Sequence, residues 1–100
     1  MIIRIVKLSV EPEKINEFLF YFDQVKKDIR SFSGCHHLEL LGDVEGNGVL
    51  FTYSYWDTTA FLSEYLNSAL FKATLAKVKP LFKSKAEAWS VEKLQEVNLG

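Results

Sequence analysis

The sequence predicts an α+β domain of ferredoxin-like layout, a four-stranded antiparallel sheet with helices on one face. Three observations carry that expectation. A β-branched run opens the chain, a stripe of apolar residues at helical spacing follows it, and a glycine-rich turn then separates two strand-like segments. The resulting order is strand, helix, strand, strand, helices, strand.

Ile2 to Val10 is rich in Ile and Val, which fit a pleated, half-buried surface. Pro12 suits the first turn of a helix, where its missing N–H costs nothing. From Ile15 the apolar residues fall at Phe18, Leu19, Phe22, Val25, Ile29 and Phe32, a 3.6-residue period that lays one buried stripe along a long helix. Phe20 lies off the stripe, as a lone exposed residue or as a contact with a second subunit. Ser33-Gly34 ends this helix, and Cys35 to Leu41 forms the second strand. Gly42 to Gly48 is dense in turn residues and joins it to Val49–Trp56, the strongest strand signal in the chain. Asp57 or Thr58 caps a short helix through Leu66. Asn67-Ser68 interrupts the pattern, a further helix reaches Val78, and Pro80 stops it. Glu87 to Leu94 reads as the fourth strand. One domain is therefore expected over residues 1–93, with a tail over 94–100.

The chain has 100 residues, 48% of them hydrophobic and 25% charged, an ordinary globular balance for one domain. A formal net charge of −1 argues against a dedicated nucleic-acid binder. Cys35 is the only cysteine, which excludes an intrachain disulfide and fits a reducing compartment. No apolar run is long enough to span a bilayer, and the N-terminal run carries Arg4 with no small-residue cleavage site after it. These features predict a cytoplasmic domain that engages neither membrane nor nucleic acid.

If the hairpin pairs residues summing to about ninety, one sheet face holds Cys35, His37, Glu39, Phe51, Tyr53 and Tyr55. The other holds His36, Leu38, Leu40, Leu50, Thr52, Ser54 and Trp56. Both faces are substantially apolar, and one layer of helices covers only one of them. A homodimer in which two sheets face each other is the economical way to cover the second.

His36 and His37 are the only histidines and hence the candidate general bases. Neighbours on a strand point to opposite faces, so one should face the helices and the other the dimer interior, and they cannot jointly chelate one metal. The plain alternative is two hydrogen-bonded structural histidines. On the same pairing Cys35 and His37 share a face, but a zinc site needs further ligands and a nucleophilic pair needs something to orient its base. Asp43, Glu45 and Asn47 alternate as calcium ligands do, in a loop that lacks the full ligand set and reads as an ordinary polar turn. Tyr53, Tyr55, Trp56 and Tyr65 can line an aromatic pocket closed by Phe18, Tyr21 and Phe22, or be plain core. Lys72, Lys77, Lys79, Lys83 and Lys85 form a positive run, read first as a solvated face and otherwise as an attractor of anionic substrates or of nucleic acid, though no aromatic-basic RNA motif accompanies it. Phosphate-cradling glycine loops, nucleophile elbows and zinc-helix motifs are absent.

Three stretches together resemble the antibiotic biosynthesis monooxygenase family. They are Ser33-Gly34-Cys35 opening a strand after a long amphipathic helix, the strand Phe51-Thr52-Tyr53-Ser54-Tyr55-Trp56, and the segment from Phe61 to Lys72 with its Asn67-Ser68 break and Leu70-Phe71-Lys72 turn. The resemblance implies a dimeric α+β barrel and a monooxygenase acting on a phenolic or quinol-like aromatic, with neither flavin nor metal. An electron-rich phenolate reduces dioxygen by itself, so such a protein needs a base near neutral pKa and a dry aromatic pocket. On this reading His36 or His37 is the base, and Tyr53, Tyr65, Trp56 and Phe22 hold the substrate. The chain departs from the family pattern at Ser54, where quinol-oxidising relatives carry Glu, and at Tyr65 and Leu70, where they carry His. The Asn, Trp and His of haem-degrading relatives fall near Val6, Tyr65 and Leu75, and none is retained. The alternative expectation is therefore a non-catalytic dimeric module on the same fold that binds a small ligand or a partner.

Overall fold

A computed structural model describes all of residues 1–100. The elements are β1 (Ile2–Ser9), a 3-10 turn (Pro12–Lys14), α1 (Ile15–Arg30), β2 (Cys35–Gly42), β3 (Val49–Trp56), α2 (Thr59–Leu66), α3 (Ala69–Val78), a second 3-10 turn (Lys79–Leu81) and β4 (Glu87–Val91). The strands form one sheet in the order β2-β3-β1-β4, with every neighbouring pair antiparallel. Strands β1 and β2 thus run parallel with β3 between them, the split arrangement of a ferredoxin-like fold. No helix is long and apolar enough to cross a membrane.

Even-numbered side chains of β1 and β3 point toward the helices and odd-numbered ones away, as the two-residue period of a strand requires. On the helix side the core forms two clusters. One gathers Leu8, Val10, Phe18, Leu50, Val78 and Leu81; the other gathers Ile29, Cys35, Trp56, Leu62 and Tyr65. Helix α1 serves both, with Phe18 near its start and Ile29 near its end. Leu19 does not belong to its buried stripe, being 41% exposed; Tyr21 packs against the first cluster instead. Phe20 is 69% exposed on the helix side of the domain.

The hydroxyl of Thr58, not the Asp57 carboxylate, caps α2 by accepting from the Phe61 N–H at 3.3 Å. Ser68 caps α3 in the same way, accepting from the Phe71 N–H at 3.1 Å. Strand β4 ends at Val91 rather than at Leu94, because Val91 pairs with Ile3 and β1 offers almost no strand beyond it. In the turn after β2, the Asp43 carboxylate accepts from the Glu45 N–H at 2.9 Å and from the Asn47 amide at 3.4 Å, so the alternating polar residues tie the turn to itself.

Gly34 is the tightest point of the α1–β2 connection. Its φ is +85°, and a Cβ there would lie 2.4 Å from Cγ of Phe61. Its carbonyl accepts from the Asp57 N–H at 2.9 Å, which ties the end of β3 to the start of β2. Gly34→Ala should cost about 2–4 kcal/mol from the left-handed backbone and the clash together. Gly46→Ala, with φ +66° and nothing within 4 Å of its Cβ, should cost only about 1–2 kcal/mol. Urea denaturation of the two variants measures the difference.

Candidate functional site

The middle of the sheet's inner face is underfilled, and the sequence says why. Val6 pairs with Thr52 and Ala88, and Arg4 pairs with Ser54 and Ser90, so four of these six positions carry short side chains. On either side the pairs are large, Leu8 with Leu50 and Ile2 with Trp56. A cavity of about 260 Å³ fills the gap between the two core clusters, with Phe18 and Val78 on one wall and Trp56 and Tyr65 on the other. Helices α1, α2 and α3 roof it.

Eighteen of its 22 lining residues are hydrophobic; the other four are Arg4, Thr52, Ser54 and Thr74. No histidine, aspartate or glutamate lines it. The Ser54 hydroxyl accepts from the Trp56 indole N–H at 3.0 Å, which fixes the ring of a side chain only 1% exposed. Arg4 donates from Nη1 to the Ser90 hydroxyl at 2.9 Å, while its Nε, buried from solvent, has no partner. The Thr74 hydroxyl across the cavity on α3 is likewise buried and unpartnered. Burial lowers the Arg4 pKa from its ordinary value.

Tyr65 stacks on Trp56 with ring centroids 4.9 Å apart, and Phe32 and Phe71 meet it edge-on at 5.3 and 5.2 Å. Burial first, and then the nearby Cys35, raise its pKa from the usual 10.0 to about 12. At neutral pH this phenol is a proton donor and not a base. Phe22 also lines the cavity, stacked 6.3 Å from Phe18. Trp56, Tyr65 and Phe22 are thus brought together as the sequence suggested.

The histidines are not. A bulge between Cys35 and His37 shifts the register, so that Cys35 pairs with Trp56 and His37 with Tyr55. The expectation that one histidine faces the helices fails for this reason, and so does the shared face of Cys35 and His37. Cys35 turns into the core, where burial raises its thiol pKa, and His36 is thrown to the edge. There His36 Nε2 meets Asp57 Oδ1 at 2.6 Å, with the imidazole 49% exposed. His37 lies on the outer sheet face, 3.4 Å from Glu39 and beside the rings of Tyr55 and Tyr53 at 5.0 and 6.4 Å. Tyr53 therefore lies across the sheet from the cavity. Its pKa is raised, chiefly by the hydrogen bond to Tyr55, then by burial and by the Tyr55 and Glu39 charges.

The positions that carry reactive groups in the resembled family divide similarly. Val6, Ser54, Tyr65 and Leu75 all line the cavity, whereas Leu70 packs on the second core cluster. Sequence reasoning missed Arg4 and Thr74. The available signal was a lone arginine among the inward positions of β1, where Ile2, Val6 and Leu8 are aliphatic.

The family model for antibiotic biosynthesis monooxygenase matches residues 1–77, and the chain belongs to that family. No curated protein matches. A crystal structure of an antibiotic biosynthesis monooxygenase superposes with a TM-score of 0.88 at 16% identity, covering 95% of this chain and 100% of its own. A conserved protein from Methanosarcina mazei Go1 gives 0.85 at 22% identity over 93% of both chains. A protein from Mycobacterium tuberculosis gives 0.85 at 18%, over 97% of this chain and 98% of its own. At these identities the structural likeness establishes the fold.

The raised Tyr65 pKa has a stability consequence. The folded state holds the neutral phenol more tightly than the unfolded chain does, so the contribution is complete below pH 10 and is lost as pH rises toward 12. Urea midpoints should therefore fall more steeply between pH 10 and 12 for the native protein than for Tyr65→Phe.

Proposed function

We propose that the protein binds a small, largely apolar aromatic molecule between helices and sheet, and oxidises a phenolic or quinol-like substrate there with dioxygen. The observation that carries this reading is the apolar cavity walled by Trp56, Tyr65 and Phe22 in a member of the antibiotic biosynthesis monooxygenase family. A cavity of ~150 Å³ holds benzene, so 260 Å³ accepts one substituted ring. The balanced reaction is phenol plus dioxygen to quinone plus water. The substrate's own electrons reduce one oxygen atom, and its C–H and O–H supply the protons of the water. The apolar wall excludes bulk water, Trp56 and Tyr65 stack the ring, and the Tyr65 hydroxyl donates to developing oxyanion charge.

This reading moves the chemistry away from His36 and His37. With no group titrating near neutral pH on the cavity wall, the substrate's own acidity supplies the phenolate. The same observation favours a second reading, a ligand-binding module without turnover. Dioxygen uptake with a panel of hydroquinones separates them. Saturable uptake abolished by Ala88→Phe, which fills the cavity from its rim, supports the monooxygenase reading. Ligand binding lost in Ala88→Phe with no uptake in the native protein supports the binding module.

A homodimer through the bare sheet face belongs to this proposal. Ile3, Ile5, Phe51, Tyr53 and Tyr55 lie on that face, and Trp89 is 46% exposed beside them on β4. The tail beyond β4 adds Leu94, Val97 and Leu99, each at least 80% exposed. An apolar surface of this extent calls for a partner. Sedimentation should show a dimer at micromolar concentration. Phe51→Lys should give monomer, whereas Phe20→Lys, on the helix side, should leave the dimer intact. A native monomer overturns the assignment.

A further inference from the structure

Arg4 places a cation at a cavity with no anion to meet it. Its sheet neighbours Ser54 and Ser90 are neutral, no acidic side chain lines the space, and none of the protein's ion pairs includes it. Its Nε–H is a donor that has lost solvent and gained no acceptor. Such groups are costly, and native proteins rarely retain them without a use. Thr74 repeats the pattern from the opposite layer, since its hydroxyl is the second buried side-chain group without a partner in the whole chain. The only two such groups in the protein line the same cavity.

We infer that the cavity is built for an amphipathic carboxylic acid, with the carboxylate held by Arg4 Nε–H and the Thr74 hydroxyl and the apolar body lying between the two core clusters. The inference rests on the cavity being the ligand site and specifies what enters it. Two free donors and one positive charge match a monoanion with two acceptor oxygens. A phosphate monoester would bring a third oxygen and a second charge that nothing on the wall answers. Because Nη1 reaches the exposed Ser90, the guanidinium stands between the cavity and the β4 edge, and the acid head belongs on that side. The volume left for the body suits a single ring with a short chain.

The test is isothermal titration of the full chain at pH 7 with 3-phenylpropanoate and with 3-phenylpropan-1-ol, which share a body and differ in the head. The acid should bind about tenfold more tightly than the alcohol or better. Arg4→Met, which keeps the length of the side chain, should bring the acid down to the alcohol's affinity and leave the alcohol within about twofold. Thr74→Val, nearly isosteric, should weaken the acid several-fold and the alcohol little. If Arg4→Met fails to fold, the acid-to-alcohol ratio of the native protein and the Thr74→Val result decide alone. Equal affinities in the native protein, or variants that weaken both probes alike, overturn the carboxylate assignment while leaving the cavity as a ligand site. Absence of binding by either probe overturns both.

Discussion

The constraint on which the rest depends is a mismatch of side-chain size along the inner face of the two central strands. Leu8, Leu50, Ile2 and Trp56 are large enough to reach the helices, whereas Val6, Thr52 and Ser54 between them are not. Three helices rest on the large residues at the two ends of the face and cannot collapse onto the short ones in the middle. The core therefore divides into two clusters, and the division is the cavity. Closing such a gap with larger side chains is cheap in evolutionary terms, and burying apolar area at about 25 cal/mol per Å² would reward it. A space of 260 Å³ walled almost wholly by hydrophobic residues is forgone stability, which is the physical signature of a place kept for something else.

The bulge at His36 decides what chemistry can happen in that space. Without it, the alternation of β2 would carry His36 under the helices. With it, Cys35 takes the buried position and His36 is carried outward to Asp57. Gly34 makes the turn into β2 possible by accepting a φ of +85° directly against Phe61. These two local features act together. They seat Cys35 beside Trp56 and Tyr65 and keep the His36 imidazole off the cavity wall, as ordinary strand alternation does for His37.

Most of the fold was legible because it follows from periodicities. The 3.6-residue stripe from Ile15, the β-branched opening and the Gly42–Gly48 turn each fix an element, and their order fixes the topology. The α2 cap was narrowed by residue type to Asp57 or Thr58, and the start of α3 to the Asn67-Ser68 break that Ser68 caps. What failed did so at single residues. A bulge changes register by one position without leaving a compositional mark, so Cys35 and His36 were assigned to the wrong faces, while His37 lies beside Glu39, Tyr53 and Tyr55 as expected. The end of β4 depended on where its partner β1 stops, which no local pattern in residues 87–94 encodes. The cavity lies between these cases. Thr52, Ser54 and Ala88 were visible as short residues, but their alignment across three strands appears only once the register is known.

The acid–base poverty of the cavity then constrains any reaction inside it. Tyr65, raised to about 12, gives a proton only to a strong base and otherwise donates a hydrogen bond. Arg4 is a permanent cation, and the Thr and Ser hydroxyls do not titrate. Arg4 is the one group on this wall that favours a bound anion, because the apolar remainder disfavours charge, as the raised Tyr65 phenol shows. In the proposed reaction the substrate's proton would leave through solvent at the β4 edge, where Arg4 meets exposed Ser90. In the proposed oxidation the protein's part would be electrostatic and steric: to hold an anion against an aromatic wall and leave the electrons to the substrate.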